Sequence, residues 1–469
     1  MWDDPLAMNV RKKESVMTTN NPREHKVYGT QGLQDGKNMP GLLRAIRKEF
    51  PRVGVDASGR TRIFFENAAG SLVLQRAVEA ESKARRDFFP NVGEASWESR
   101  MNENTILEGR KAVSDFLNAS SEDCIVSGES ATSLLFQISY ALSKELPQDG
   151  NVVTTEYEHY ANISPWTELE RRGIVKEVRF ATFNADDGML DMQHFASLLD
   201  RKTQVVAVTG VSNGLGSKTP LNEVFRFAQE IGAYTILDAV HMAPHVPIDV
   251  SRLECDFAVF SAYKLFSRRG SFMYGRRDLL ERTKPYKVEP SPNHPPAKWE
   301  MGTRDQALFA SIAAVIDYLS WLGQEVQNQV SDRVFEYSGR RRLLKAALTW
   351  IEEYERTLSE AMLYGTKGHP GMLGMKGVQV YGLKDESRIH LRTPTFSFDI
   401  AGVELKKVAE HMWIKHGVVV IADDFYSRAL RTYGKPLAIR ASLVHCNTIQ
   451  EVETFLAGLA ETVRHFGAG

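Results

Sequence analysis

The chain has few cysteines and no obvious targeting segment. Cys124, Cys255 and Cys446 are the only three in 469 residues, and they are far apart with no CxxC spacing. This argues against a disulfide framework and a structural zinc site, so we expect no metal. Residues 1–40 are polar and lack the apolar core of a signal peptide. No apolar run has the length that a transmembrane helix needs, so we expect a cytoplasmic protein.

The chain also lacks an excess of charge of either sign. Lysine and arginine number 58, aspartate and glutamate 59, and the formal net charge is −1. This balance predicts neither a nucleic-acid partner nor a membrane-surface partner. Hydrophobic residues make up 43% and charged residues 25%, which is ordinary for a globular enzyme. The length indicates two or three domain-sized units.

Strand-like and helix-like runs alternate between about residues 61 and 325, which predicts βαβ units around a largely parallel sheet. A helix-rich passage follows, and from about residue 376 strand and helix are mixed, as in a smaller α+β domain. We predict a flexible arm at 1–40, a large domain at 41–330 whose first part packs on the small domain, and a small domain at 331–469. The predicted strands of the large sheet are CIVSG (124–128), NVVTT (151–155), VVAVTG (205–210), YTILD (234–238), FAVFS (257–261) and SFMYG (271–275).

Two of these strands deliver polar residues to the edge where open α/β sheets bind ligands. The run YTIL ends in Asp238, and the run FAVF is followed by Ser261, Tyr263 and Lys264. A carboxylate that can pair with a ring nitrogen and a lysine that can form a Schiff base are the pair that pyridoxal 5′-phosphate requires. Taken alone, each residue is more often an ordinary surface Asp or Lys.

Four weaker signals accompany this pair. Ser130 and Thr132 precede a helix, where backbone N–H groups and hydroxyls can bind phosphate, although such residues are usually simple helix caps. His159 follows a strand and could stack on a cofactor ring or move protons. Asn213 lies in an Asn-Gly turn that allows close approach to a ligand. Arg440 in a strand-like run suggests a carboxylate partner, or else an internal ion pair.

Seven segments in order resemble one family, the class V aminotransferases of fold-type I, in the cysteine-desulfurase-like branch. The resemblance covers roughly residues 60–465. It implies an α/β fold, with a mostly parallel seven-stranded sheet in a large domain and a smaller α+β C-terminal domain. The segments are FFENAAGS, EHYANISPW, VSNGLG, LDAVHMAPHVPIDV, CDFAVFSAYKLF, WEMGTRDQ and IRASLVHCNT.

The resemblance implies a role for each matching residue. Lys264 would form the internal aldimine, Asp238 would pair with the pyridinium nitrogen, and His159 would stack on the ring; these three are the expected catalytic residues. Thr303 would reach the phosphate of a neighbouring subunit, which implies a homodimer. The expected cofactor-binding residues are Ser130, Ala131, Thr132, His159, Asp238, His241, Ser261, Tyr263, Lys264 and Thr303. The expected substrate-binding residues are Asn213, Arg440, Phe425 and Tyr426.

The chain also departs from the family pattern. Cysteine desulfurases of two groups carry sulfur as a persulfide on a cysteine of a mobile loop, but residues 417–440 contain no cysteine. His241 stands where desulfurases have glutamine, and Tyr263 replaces a phosphate-binding histidine of many of them. The segment SRRG (267–270) stands where relatives usually have Gly-Pro. A branch without the persulfide cysteine includes the decarboxylative aldolase of the fungal ustiloxin pathway, which the chain resembles at family level.

We therefore expect an enzyme that uses pyridoxal 5′-phosphate and acts on a small α-amino acid through a quinonoid or carbanion. The expected class is a C–C lyase, of decarboxylative or aldol type, or a C–S lyase. An aldehyde or keto acid would be the second substrate in the aldol or transamination variants. The alternatives are an aminotransferase, a desulfurase-like sulfur-releasing enzyme and, from another class, a non-catalytic relative that binds without reacting.

Overall fold

The computed structural model describes residues 41–88 and 90–468. The predicted flexible arm at 1–40 lies outside the described residues. The strands are β1 Ile63–Phe64, β2 Ile125–Gly128, β3 Asn151–Thr155, β4 Glu177–Ala181, β5 Thr203–Thr209, β6 Tyr234–Asp238, β7 Phe257–Ser261, β8 Ser271–Gly275, β9 Gly365–Thr366, β10 His369–Pro370, β11 Val378–Tyr381, β12 Thr395–Ile400, β13 Val418–Val419, β14 Ile421–Asp423 and β15 Ala438–Ser442.

The helices lie between these strands and around both sheets. Short 3₁₀ turns occupy several of the connections. The α-helices are α1 Gly41–Lys48, α2 Gln75–Asp87, α3 Trp97–Leu117, α4 Ala131–Ser143, α5 Ser164–Arg171, α6 Met192–Leu198, α7 Leu221–Glu230, α8 Val250–Leu253, α9 Arg277–Arg282, α10 Gln306–Val326, α11 Gly339–Tyr364, α12 Leu405–His416, α13 Ala429–Thr432 and α14 Ile449–His465.

The large sheet has seven strands in the order β2-β8-β7-β6-β5-β3-β4. All its neighbours are parallel except β8, which runs antiparallel to both β2 and β7. Both faces are covered, because alternate residues of one strand enter different hydrophobic clusters: Leu237 packs on one side and Ile236 on the other. Continuous apolar runs such as YTIL follow from this burial on both faces. The predicted α/β fold with a mostly parallel seven-stranded sheet is confirmed.

A second, four-stranded antiparallel sheet has the order β11-β12-β15-β14 and forms its own hydrophobic cluster with α12 and α14. The start of the described chain packs here, since β1 pairs with β13 and Arg47 forms an ion pair with Glu451. Helix α11 contributes Leu348 to the large core and Leu358 to the small one. The change from one core to the other thus falls inside this helix, and the boundary near residue 330 stays a prediction.

One expectation from the sequence needs correction. The helical segment Gln306–Gln329, which contains α10, is by length and composition apolar enough to cross a membrane. In the fold, 61% of its most apolar window is buried. Helix α10 packs against α2, α3 and α11, so its apolar composition is accounted for by the protein core.

Candidate active site

A cavity opens at the edge where the parallel strands of the large sheet end. Its wall brings together residues that are up to 142 positions apart in the chain, from Glu129 to Ser271. This follows from topology, because β3, β5, β6 and β7 are parallel and release their following loops at one edge. The predicted residues that line it are Ser130, Ala131, Thr132, His159, Asn213, Asp238, His241, Ser261, Tyr263 and Lys264.

Lys264 is buried just beyond β7, in a 3₁₀ turn. Its Nζ donates a hydrogen bond to the Ala68 carbonyl oxygen at 2.6 Å. The pKa of this amine is lowered to about 8, mainly by burial and also by the positive charge of Arg440, while Asp238 opposes the shift. A lysine with a depressed pKa has more of the neutral amine at physiological pH, which is the form that attacks a carbonyl carbon.

Asp238 is buried at the end of β6. Its Oδ1 accepts a hydrogen bond from the Val240 backbone N–H at 2.9 Å. No described residue donates a hydrogen bond to Oδ2, so that oxygen is available to a ligand in the cavity. Burial raises the pKa of this carboxyl to about 6, and nearby Lys264 opposes the rise. A cationic ring nitrogen beside it would favour the ionised form for the same electrostatic reason.

The two histidines of the cavity are held as neutral rings. His159 Nδ1 accepts the Ala161 backbone N–H at 3.0 Å, which leaves the proton on Nε2. The His159 pKa is lowered to about 4, mainly by burial and also by the positive charges of Lys264 and Arg440. His241 Nε2 lies 3.0 Å from Thr395 Oγ1, and burial lowers its pKa well below the ordinary value.

One end of the cavity is suited to an anion. Helix α4 begins at Ala131, with Ser130 as its cap, so its first backbone N–H groups face the wall. The hydroxyl of Ser261 lies beside that of Ser271, at 3.1 Å between oxygens, on two adjacent strands. Thr132 adds a third hydroxyl from the helix. Such an end could hold a phosphate.

The other predicted end is built around Arg440 and Asn213. Arg440 is buried on β15, and its Nη1 donates to the Asn213 carbonyl oxygen at 3.2 Å. Among the described residues, its Nε and Asn213 Oδ1 are buried polar atoms with no hydrogen-bond partner. Burial lowers the Arg440 pKa to about 10, against the charges of Glu66 and Asp423. A buried guanidinium with a free donor is suited to a carboxylate.

The segment from Asp423 to Arg428 packs against Asn213, Arg440 and His159. Asn213 Nδ2 donates to the Phe425 carbonyl oxygen at 3.0 Å, and the Phe425 ring lies 4.3 Å from the Arg440 guanidinium carbon. Tyr426 stacks on His159 with ring centres 5.9 Å apart, and its own ring is largely exposed. Arg428 is held in two hydrogen bonds by Glu156. The structure thus places both predicted substrate-side aromatics beside the cavity, although neither lines it.

Arg440, like Phe425 and Tyr426, contacts a residue of the cavity wall without lining the cavity itself. Thr303 does not line it either. It is exposed, in a separate groove with Val92 and Ile106. Sequence reasoning also missed some lining residues. Thr209 is the next-to-last residue of a predicted strand and ends the observed β5, and Ser271 begins a predicted strand, so strand position could have identified both. The missed residues in the wall are Glu129, Ala161, Thr209, Val240, Arg269, Gly270 and Ser271.

A buried carboxyl beneath the site was also missed. Glu158 accepts hydrogen bonds from Thr155, Asn162 and the Thr209 backbone N–H. Burial raises its pKa to about 8, although these donors oppose the rise. Because its bonds hold the loops that carry His159 and Thr209, this residue positions the wall and does not reach the cavity.

The residues present fit pyridoxal 5′-phosphate in their chemistry. A nucleophilic amine (Lys264), a carboxylate oxygen without a protein donor (Asp238), a neutral ring (His159) and an anion-binding helix start share one cavity. These are the groups needed for its aldehyde, ring nitrogen, ring face and phosphate. The individual roles stay predictions.

Comparisons with known proteins agree with this chemistry. The family model described as Aminotransferase class-V matches residues 63–341. A probable cysteine desulfurase of Streptomyces coelicolor is 32% identical over 450 residues, covering 91% of this chain and 99% of that protein. A probable cysteine desulfurase of Synechocystis is 27% identical over 444 residues, covering 91% and 97%.

Solved structures show the same fold. The apo structure of a cysteine desulfurase from Thermococcus onnurineus has a TM-score of 0.76 and 24% identity, covering 90% of this chain and 98% of that one. A cysteine desulfurase structure from Escherichia coli has a TM-score of 0.73 and 21% identity, with coverage of 90% and 98%.

We predict that the cofactor attaches to Lys264. The purified protein should absorb near ~410–430 nm, and Lys264→Ala should remove that band, because the lysine is conjugated to the cofactor. Borohydride reduction followed by peptide mapping measures the attachment site. Lys345 is the matched control, since it is also buried with a pKa lowered by burial to about 8, but it donates to backbone carbonyls away from the cavity. A tag on Lys345 or any other lysine would refute the assignment.

We predict that Arg440→Lys weakens amino-acid binding while the cofactor stays bound. A point-charge ammonium cannot reproduce the fork of a guanidinium, so a loss of roughly tenfold or more in affinity is expected. Titration of the cofactor absorption with amino acid measures it. Arg392→Lys is the control, because Arg392 is equally buried but donates to backbone carbonyl oxygens such as Leu215 O. Equal affinity in parent and Arg440→Lys would remove Arg440 from the substrate site.

Proposed function

Because this chain belongs to the class V aminotransferase family, whose members use pyridoxal 5′-phosphate, we propose that it is a lyase acting on a small α-amino acid. The observation that carries the proposal is a pair of buried atoms with no hydrogen-bond partner among the described residues. Asn213 Oδ1 belongs to the cavity wall that also holds Lys264 and Asp238, and Nε belongs to Arg440, which is outside the wall but donates to the Asn213 carbonyl oxygen. This arrangement fits a substrate that presents a carboxylate to Arg440 and an amine toward Lys264.

Asp238, Lys264 and His159 would each have a different role in such a reaction. When bound, the cofactor withdraws electrons from the substrate's α-carbon. Asp238 Oδ2 would hold the proton on the ring nitrogen. Lys264 Nζ, with a pKa near 8, would take up and return protons at neutral pH. His159 would donate from Nε2, since its Nδ1 is occupied by the Ala161 backbone N–H.

The thiols do not support a persulfide relay. Cys124, Cys255 and Cys446 are buried, and none lines the cavity. Burial raises the pKa of all three thiols, that of Cys446 to about 12. A thiol with a raised pKa has little of the nucleophilic thiolate. We therefore propose that the leaving group departs directly and is not passed to a protein sulfur.

The bond that is cleaved in the substrate is either a C–S bond or a C–C bond. The similarity to cysteine desulfurases favours cysteine as substrate and C–S cleavage, with sulfide released by elimination. The loop favours C–C cleavage, because Asp424, Phe425 and Tyr426 stand where a carrier cysteine would be expected, and Tyr426 stacks against His159. An aldehyde or keto acid would be the second substrate of an aldol-type reaction or of the transaminase alternative.

We propose a homodimer as the assembled form. Thr303 is exposed in a groove with apolar Val92 and beside exposed Met301. Exposed apolar side chains around a polar residue are typical of a surface that binds protein. A second copy could cover this groove and receive Thr303 at its own phosphate end. Sedimentation velocity of the full-length chain should give a mass of two chains; a single-chain mass at micromolar concentration would contradict the dimer.

The proposed reaction is tested by a substrate screen. The twenty common amino acids are added to the holoenzyme, each with and without an aldehyde or keto acid, and spectral changes and products are recorded. Sulfide from cysteine would indicate C–S cleavage, CO2 or an aldol product C–C cleavage, and a new amino acid transamination. No spectral response to any amino acid, in protein that carries the cofactor, would favour a non-catalytic binding protein.

We predict that activity does not require a thiol. A Cys124→Ser, Cys255→Ala, Cys446→Ala variant should keep its rate within about threefold, because the thiols are outside the cavity. Buried substitutions of this kind can cost about 1–3 kcal/mol of stability, so folding and cofactor absorption are measured in parallel. Loss of activity in a folded, cofactor-bound triple variant, together with a trapped persulfide in the parent, would contradict the direct-release mechanism.

A further inference from the structure

We propose that Arg269 is a binding residue for the cofactor phosphate. Arg269 lines the cavity and lies over the Tyr263 ring, with its guanidinium carbon 5.5 Å from the ring centre. Apart from this contact, it makes no hydrogen bond or ion pair with any residue that the structure describes. It lies in the segment SRRG, between β7 and β8. The proposal rests on the cofactor assignment and adds a residue to that site.

The charge of the cofactor phosphate requires a cation in the cavity wall. A phosphate monoester carries a charge of about −1.5 to −2 at neutral pH. The strongly basic side chains in the cavity wall are Lys264 and Arg269, and the two histidines are held neutral by burial. Lys264 is required for the aldehyde, so its charge is not available to the phosphate. Glu129 in the same wall adds a negative charge, which increases the need for a further cation.

The loop around Arg269 is fixed on both sides, while the Arg269 guanidinium makes no hydrogen bond or ion pair with a described residue. On one side, Arg268 forms ion pairs with Glu81 and Asp305. On the other, the Gly270 carbonyl oxygen accepts the Ala262 backbone N–H at 2.9 Å. Gly270 has φ +137°, and a Cβ there would lie 2.6 Å from Leu308. The backbone therefore presents Arg269 at the cavity without using its guanidinium.

Arg269 also lies close in the chain to the anion-binding end of the cavity. Arg269 comes two residues before Ser271, whose hydroxyl meets that of Ser261 at the anion-binding end. The substrate carboxylate end has its own arginine, Arg440, with Asn213 and Phe425. A guanidinium at the anion-binding end can offer two parallel N–H donors to phosphate oxygens.

The test compares the affinity of the full-length chain for pyridoxal 5′-phosphate and for pyridoxal, which lacks the phosphate. The variants are Arg269→Gln, Arg269→Lys and, as matched control, Arg268→Gln, which removes the neighbouring arginine outside the cavity wall. Affinity is read from the absorption or fluorescence of the bound cofactor during titration. Arg269→Gln should weaken the phosphate form about ten- to hundredfold, the loss typical of a charge-assisted hydrogen bond, and leave pyridoxal unchanged.

The remaining variants also test whether Arg269 binds the phosphate. Arg269→Lys should fall between Gln and the parent. Arg268→Gln removes the ion pairs that hold the loop but no charge from the cavity wall, so any loss it causes should be similar for pyridoxal 5′-phosphate and for pyridoxal. Unchanged affinity for the phosphate form in Arg269→Gln, or an equal loss for both forms, would overturn the role of Arg269 while leaving the cofactor assignment intact. A parent chain that binds neither form would instead refute the cofactor assignment itself.

Discussion

The burial of Lys264 and Asp238 at one sheet edge is the constraint on which the site depends. Each group in isolation would avoid its charged form in this environment, and each lowers that cost for the other. A fall of the lysine pKa from 10.5 to about 8 corresponds to about 3 kcal/mol between its two protonation states. The sheet tolerates this cost because its covered faces and parallel strands fix both positions. The neutral amine that results is the reactive form.

The two ends of the cavity come from different parts of the chain. The anion-binding end is built by α4, by the facing ends of β7 and β8 and by the one loop that joins these two strands, all in the large domain. The carboxylate end takes Arg440 from β15 of the small sheet and Asn213 from the turn that follows β5 of the large sheet. Cofactor binding therefore depends chiefly on one core, whereas substrate binding depends on how the two cores meet.

The sequence predicts much of the fold and part of the site. Six strands of the large sheet are evident because strands buried on both faces are continuous apolar runs. The edge strand β4 is missed, since Glu177 and Arg179 interrupt its pattern and it is only half buried. Asp238 and Lys264 can be predicted because strand ends converge. The position of Arg269 in the wall depends on how its loop folds back, which no periodicity encodes. The role of Thr303 requires a second chain and stays a prediction.

The segment from Asp423 to Arg428 restricts how this site can change in evolution. Phe425 and Tyr426 both have left-handed backbone angles, with φ of +59° and +49°, which cost non-glycine residues stability. The hydrogen bonds from Asn213 to Phe425 O and from Tyr160 to Tyr426 O hold this shape. β-Branched replacements are the worst suited to it, and glycine or asparagine the best. The backbone conformation therefore limits which amino acids can replace Phe425 and Tyr426 during evolution. A substitution that would suit a new substrate is still lost if its side chain destabilises the left-handed backbone.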